Sequence, residues 1–156
     1  QALATFKGVR RRQEVRGVKN GIVVMDDFAH HPTAVRETVK AVKPFYPDGR
    51  LIAVFETRTN TSMRDVFQNV YPTCFDAADL ICIRKPPLLK KIPEGQRFSS
   101  QKLVQDLRQR GKDAHYFENT DSIIDFLKAH AVAGDAILVM SNGGFDNIHE
   151  RLLAVL

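Results

Sequence analysis

Two carboxylates and two imidazoles fall within seven residues, at Asp26-Asp27-Phe28-Ala29-His30-His31-Pro32. Asp and His gathered this closely can ligate a divalent ion, as in metal-dependent phosphoesterases. The same residues also suit a strand end whose Asp accepts hydrogen bonds from vicinal hydroxyls, with an imidazole beside a ring at a helix start. In a third reading they only cap a helix beginning at Pro32, although two adjacent His exceed what a cap requires. No second Asp/His cluster completes a two-metal site, because His115, His130 and His149 lie on separate segments.

A second polar group, Glu56-Thr57-Arg58-Thr59-Asn60-Thr61, places an arginine and several hydroxyl and amide groups ahead of an amphipathic stretch. Arginine can grip a carboxylate through two parallel N–H donors, and a helix start adds unpaired backbone N–H groups. The plainer alternative is an N-capped helix with a solvated Arg58. Ser141-Asn142-Gly143-Gly144 offers similar apparatus, although a glycine pair after a strand also serves tight turns. No Walker A pattern, nucleophile elbow, GxGxxG or supported Cys-His pair is present. The chain is equipped to bind anions and sugar hydroxyls, with the reacting groups supplied elsewhere.

The elements that must position these groups alternate. Gln13 to Val18 and Ile22 to Met25 read as strands joined at Lys19-Asn20-Gly21, and Asn-Gly is a strong hairpin signal. Pro32 to Lys43 carries Val35, Val39 and Val42 on one helical stripe. Apolar runs at Leu51–Phe55, Leu80–Ile83, Ala114–Phe117 and Ala136–Met140 read as further strands. Met63, Val66, Phe67 and Val70 predict a helix capped by Thr61 or Ser62. Ser99 or Ser100 caps a helix bearing Leu103, Val104 and Leu107 and closed by Gly111; Asn119-Thr120-Asp121 opens another, and Phe145, Ile148, Leu152 and Val155 mark the last. Repeated β-α order with continuous apolar strands implies an α/β domain: a mostly parallel sheet, helices on both faces and one antiparallel member from the hairpin. In such sheets ligands sit beyond the carboxyl ends of the strands. The loops there are Asp26 to Pro32, Glu56 to Ser62, Arg84 to Gln96 and Ser141 to Gly144.

The 156 residues fit one domain, with 44% hydrophobic and 26% charged residues. A net charge of +5 favours an anionic partner. The basic clusters Lys7–Arg16 and Arg84–Lys91 carry no interleaved aromatics for base stacking, so nucleic acid is not the expected partner. Cys74 and Cys82 give no metal or disulfide framework and read as core residues in a reducing cytoplasm. No apolar run reaches the roughly 20 residues of a membrane span. The start at Gln1 carries neither a signal-peptide pattern nor an initiator Met, which suggests a cut inside a longer protein.

Arg11-Arg12-Gln13-Glu14 followed by Asp26-Asp27-Phe28-Ala29-His30-His31-Pro32-Thr33 resembles the opening of the third domain of the Mur ligases. Phe55-Glu56-Thr57-Arg58-Thr59-Asn60-Thr61 and Met140-Ser141-Asn142-Gly143-Gly144-Phe145 resemble one branch of that family. That branch joins the recycled tripeptide L-alanyl-γ-D-glutamyl-meso-diaminopimelate to UDP-N-acetylmuramate. The branch that adds L-alanine shares His-His-Pro but has Gln-Pro-His and Gly-Ala-Gly types at the other two places. The resemblance covers essentially the whole chain. It implies a Rossmann-like three-layer α/β/α domain over residues 1–156, separated from N-terminal and central ATPase domains.

In the family the central domain holds the phosphate loop and Mg²⁺. There the carboxylate is activated as an acyl phosphate, which the incoming amine attacks. The third domain closes over ATP and presents that amine. Carried over by position, Arg12 matches the arginine near ribose and phosphates, and Asp27 the aspartate on the ribose hydroxyls. His30, with His31 next to it, matches the position beside the nucleotide. Arg58, Asn60, Thr61, Ser141 and Asn142 fall where the incoming substrate is recognised, and Arg58 is the expected partner of a substrate carboxylate. Two departures stand out: Arg84-Lys85-Pro86-Pro87 replaces the Asp-Asn-Pro-Arg motif of the diaminopimelate-adding relative, and Thr57 replaces an expected Pro. The resemblance assigns no catalytic residue to this domain, so by itself it is expected to have no ligase activity.

Overall fold

The computed structural model describes residues 9–156. Lys7 of the first basic cluster and the segment read against a signal peptide lie outside the described residues. Strand β1 (Glu14–Lys19) turns back into β2 (Ile22–Asp27) through Asn20 and Gly21, both left-handed at φ 49° and 77°. Two successive positive φ values are what a tight hairpin turn needs, and Asn-Gly supplies them. The chain continues through α1 (Pro32–Val42), β3 (Leu51–Phe55), β4 (Leu80–Arg84), α2 (Ser100–Gln109), β5 (Asp113–Phe117), α3 (Thr120–His130), β6 (Ala136–Met140) and α4 (Ile148–Val155). Ser99 caps α2, its hydroxyl accepting from the Lys102 N–H, and Asn119 caps α3 in the same way through Ser122.

The strands form one sheet in the order β1-β2-β6-β3-β4-β5. Only β1 runs antiparallel to its neighbour. Period-two alternation divides the strands between two cores. Met25, Ala53, Phe55, Ile81, Ile83, Leu138 and Met140 face α1 and α2. Val24, Ile52, Val54, Cys82, Ile137 and Val139 face α3 and α4. Because both faces are covered, β3, β4 and β6 are buried along their whole length. The result is the expected three-layer α/β/α sandwich. β6, the last strand in sequence, lies between β2 and β3, and their carboxyl ends open onto one crevice.

The stripe Met63–Val70 does not form the expected helix. Two short 3₁₀ turns, Asp65–Phe67 and Tyr71–Thr73, occupy the segment between β3 and β4. Half of the apolar stripe faces water, with Val66 61% and Val70 42% exposed. The backbone bonds instead to the approach to α2. The Phe98 N–H donates to Met63 O at 2.9 Å, and Gln68 brackets Ser99 through both side-chain amide atoms. Tyr71 enters the core against Phe55 and Phe98 and donates its hydroxyl to His30 O at 2.6 Å. The last helix also starts later than its apolar pattern suggests, at Ile148, because Phe145, Asp146 and Asn147 are all left-handed.

At the opposite end of the sheet Asp135 accepts from Arg50 Nη2 at 2.6 Å and from the Val132 N–H at 2.9 Å. Burial would raise this carboxyl, but the bonds from Arg50 and Val132 outweigh it and hold Asp135 below the usual range. Gly49 abuts this corner. A Cβ there would lie 1.9 Å from the Gly134 carbonyl oxygen, a backbone atom rather than a flexible side-chain tip. Gly49→Ala should therefore cost about 3 kcal/mol, the upper end for overpacking, measured as a lower urea midpoint at unchanged m-value.

His149 on α4 is buried, with Nε2 3.5 Å from Asp26 Oδ1, and neither atom has a hydrogen-bond partner. Burial lowers His149 from its ordinary 6.5; Asp26 pulls it up, Arg16 pushes it down, Glu150 pulls up and Arg11 pushes down. The folded ring therefore binds its proton less readily than the unfolded ring does. This contribution to stability is complete above the ordinary imidazole range and is lost as pH falls through it toward the folded value. Thermal midpoints should fall between about pH 7 and pH 5, and His149→Gln should flatten that slope. A midpoint that rises with acidification in this window would contradict the assignment.

Candidate functional site

The crevice begins at the end of β2, where two adjacent aspartates point to opposite sides. Asp26 turns toward α4 and takes Arg11 Nε at 3.2 Å on Oδ2. Asp27 turns toward the loop, with Oδ2 accepting the Gln13 N–H at 2.8 Å and Oδ1 the Ala29 N–H at 2.7 Å. An ionised carboxylate has about four acceptor positions, so both oxygens keep capacity for a hydroxyl. A cleft of about 630 Å³ lies here, lined by Arg12, Gln13, Asp27, Phe28, His30 and His31 among others. The Arg12 guanidinium is exposed and lies 5.3 Å from the Phe28 ring centre.

The two imidazoles diverge. His30 Nδ1 is 2.9 Å from Phe28 O. A carbonyl can only accept, so Nδ1 carries the hydrogen of this bond. The His31 ring packs edge-on to Phe67 at 4.8 Å. Among the described residues no three His, Cys, Asp or Glu side chains converge on one point. The phosphoesterase reading therefore finds no ligand set, since its four residues point in different directions.

Across the crevice, the loop after β3 is organised by Glu56, whose side chain is fully buried. Oε1 accepts Ser141 Oγ–H at 2.7 Å and Arg58 Nη1 at 3.2 Å; Oε2 accepts Arg84 Nη1 at 2.6 Å. Arg58 is thus partly committed inside the protein, with 28% of its side chain exposed. It also lies across Gly143, where a Cβ would meet its Cδ at 2.3 Å. The Ser141 hydroxyl is buried and doubly used, because it also accepts the Gly143 N–H at 3.0 Å. Asn142 presents a buried Oδ1 with no hydrogen-bond partner. Asn60 and Thr61 are exposed, and Thr61 caps no helix. The loop is closed by Thr59 and Ser62, whose hydroxyls are 2.7 Å apart.

Four residues with no role assigned from the sequence take part here: Arg11, Arg84, Thr120 and Asp146. Arg11 is the arginine that reaches the Ser141–Gly144 loop, donating Nη2 to Ser141 O at 2.6 Å and to Gly143 O at 2.8 Å. Arg84 donates Nη2 to Asp146 Oδ2 at 2.7 Å, and Thr120 Oγ donates to the same oxygen at 2.8 Å. A signal was available: Glu56 and Arg84 are opposite charges directly at the ends of two wholly apolar strands.

The profile of the family described as Mur ligase, glutamate ligase domain, matches residues 11–143. The UDP-N-acetylmuramate–L-alanine ligase of Caldanaerobacter subterraneus is 37% identical over 95% of this chain and 32% of its own length. The ligase of Escherichia coli named for UDP-N-acetylmuramate and L-alanyl-γ-D-glutamyl-meso-2,6-diaminoheptanedioate is 38% identical over 97% of this chain and 31% of its own length. The crystal structure of a murein peptide ligase from Psychrobacter arcticus superposes with a TM-score of 0.81 at 36% identity, over 99% of this chain and 31% of that one. The chain thus spans about a third of these relatives' length. With its sheet order, its crevice and a profile match over most of its residues, the chain belongs to the Mur ligase family and carries its glutamate ligase domain.

Proposed function

We propose that this chain is the C-terminal nucleotide- and substrate-binding domain of a longer ATP-dependent ligase that joins L-alanyl-γ-D-glutamyl-meso-diaminopimelate to UDP-N-acetylmuramate. The observation that carries this reading is the contact between the loops after β3 and β6. Glu56, Arg58, Ser141 and Gly143 meet in one cluster. The two motifs that resemble the tripeptide branch are therefore one site. Arg58, Asn142, Asn60 and Thr61 stand at its mouth as contacts for a peptide rich in carboxylates.

The other edge of the crevice suits a nucleotide. Asp27 keeps lone pairs for ribose hydroxyls, His30 lines the same cleft, and the exposed Arg12 suits phosphate; this set fits ATP. When bound, ATP supplies the phosphoryl group that activates the carboxylate to be joined. Among the described residues no three metal-ligating side chains converge, and Mg²⁺ would be held mainly by the central domain. The domain's own work is to hold nucleotide and acceptor near each other and to exclude water on closure. The activating groups belong to the remaining two thirds of the protein.

A second reading, L-alanine as acceptor, draws on the 37% identity to the alanine-adding ligase. The intact protein, given ATP and UDP-N-acetylmuramate, should release phosphate with the tripeptide at a kcat/KM roughly a hundredfold or more above that with L-alanine, since a site built on buried polar groups discriminates strongly. The reverse preference would establish the second reading. Arg12→Ala should raise the KM for ATP about tenfold, the loss of one charge-assisted bond, with the thermal midpoint unchanged because the side chain is exposed.

A further inference from the structure

The loop that follows β6 adopts a backbone that its own residues disfavour. Phe145, Asp146 and Asn147 lie at φ 44°, 49° and 54°, while Gly144, the residue suited to that region, lies at −77°. Asp and Asn tolerate the left-handed region; a phenylalanine there is an outlier. Such a conformation persists only where its surroundings over-determine it, and it clusters at ligand sites.

The surroundings here are an arginine from another strand. Arg84 ends β4, and its side chain is 9% exposed. Its Nη1 donates to Glu56 at 2.6 Å and its Nη2 to Asp146 at 2.7 Å. The guanidinium carbon lies 5.4 Å from the centre of the Phe145 ring, which is itself fully buried. The backbone of Arg84 is held in turn, its carbonyl accepting from Ser100 Oγ at 2.9 Å. One planar fork therefore spans the ends of three strands, and a lysine, with a single point charge, cannot reproduce both bonds.

We propose that Arg84, braced between Glu56 and Asp146, is a positioning residue that sets the conformation of Ser141–Asn147 and through it the affinity for the amine-bearing acceptor. The acceptor part rests on the function proposed above. Asn142 and Gly143, at the mouth, are shaped from behind by a side chain that need not touch substrate. The loop part stands on the geometry alone.

The test uses the intact protein and two variants. Asp146→Asn keeps the shape of a side chain already 48% exposed and should fold; Arg84→Met removes the fork. In hydrogen exchange, amides of residues 141–147 should exchange about tenfold or more faster in both variants, with residues 28–31 unchanged. This readout needs no substrate. In turnover, the acceptor KM should rise about tenfold while the ATP KM stays within about twofold, and Arg84→Lys should recover only part of the loss. Unchanged exchange at 141–147, or faster exchange spread evenly over the sheet, would overturn the proposal. A rise in both KM values together would overturn the acceptor role. If the wild type prefers L-alanine, the functional reading fails, and the same comparison is made with the KM for alanine.

Discussion

A carboxylate with no exposure to water controls the carboxyl edge of this sheet. A buried carboxyl group in such a place is tolerable only if donors surround it. Three donors from three segments meet that demand: Arg58 in the same loop, Ser141 beyond β6 and Arg84, the last residue of β4. None of these segments can move far without leaving a buried carboxyl oxygen unpaired. Glu56 thus ties the ends of β3, β4 and β6 together at one point.

The two edges of the crevice are built by different means. At the β2 end the backbone is the partner: Asp27 binds two N–H groups, and the polar atoms facing the 630 Å³ cleft keep spare capacity. At the β3–β6 end, side chains satisfy one another, and Asn142 Oδ1 is left over. Arg11 joins the two edges. It touches Asp26 with Nε and the carbonyls of Ser141 and Gly143 with Nη2, so the position of one loop is referred to the other. Under the proposed function the domain holds two ligands at a set separation, and such a tie serves it, because misplacement of about 1 Å can cost a hundredfold in rate.

Most of the layers could be read locally. Asn20-Gly21 announced the hairpin, Ser99 and Asn119 announced their helices, and the short apolar runs became strands within one or two residues. The stripe Met63–Val70 failed because periodicity records which residues are apolar, not whether a face exists to bury them. Val66 and Val70 have none, while Gln68 finds the backbone of Ser99, 31 residues away. The approach to the last helix failed for a related reason. Phe145 belongs to the core, but its backbone is turned by Arg84 through Asp146, a contact spanning 62 residues.

By itself the sequence determined the class of architecture, the four loops that could face a ligand, and the residue types suited to anions and hydroxyls. Those follow from period-two and period-3.6 patterns and from side-chain chemistry, both of which are local. Only the tertiary structure decided which polar residues are available and which are consumed. It turned Asp26 away from Asp27, committed the Ser141 hydroxyl to Glu56 and half-occupied Arg58. It also brought in Arg11, Arg84 and Asp146. The reason is the strand order: β6 lies between β2 and β3, and this places residues 85 positions apart, Glu56 and Ser141, in hydrogen-bond contact. No local pattern carries that adjacency, so it could be known only once the sheet was assembled.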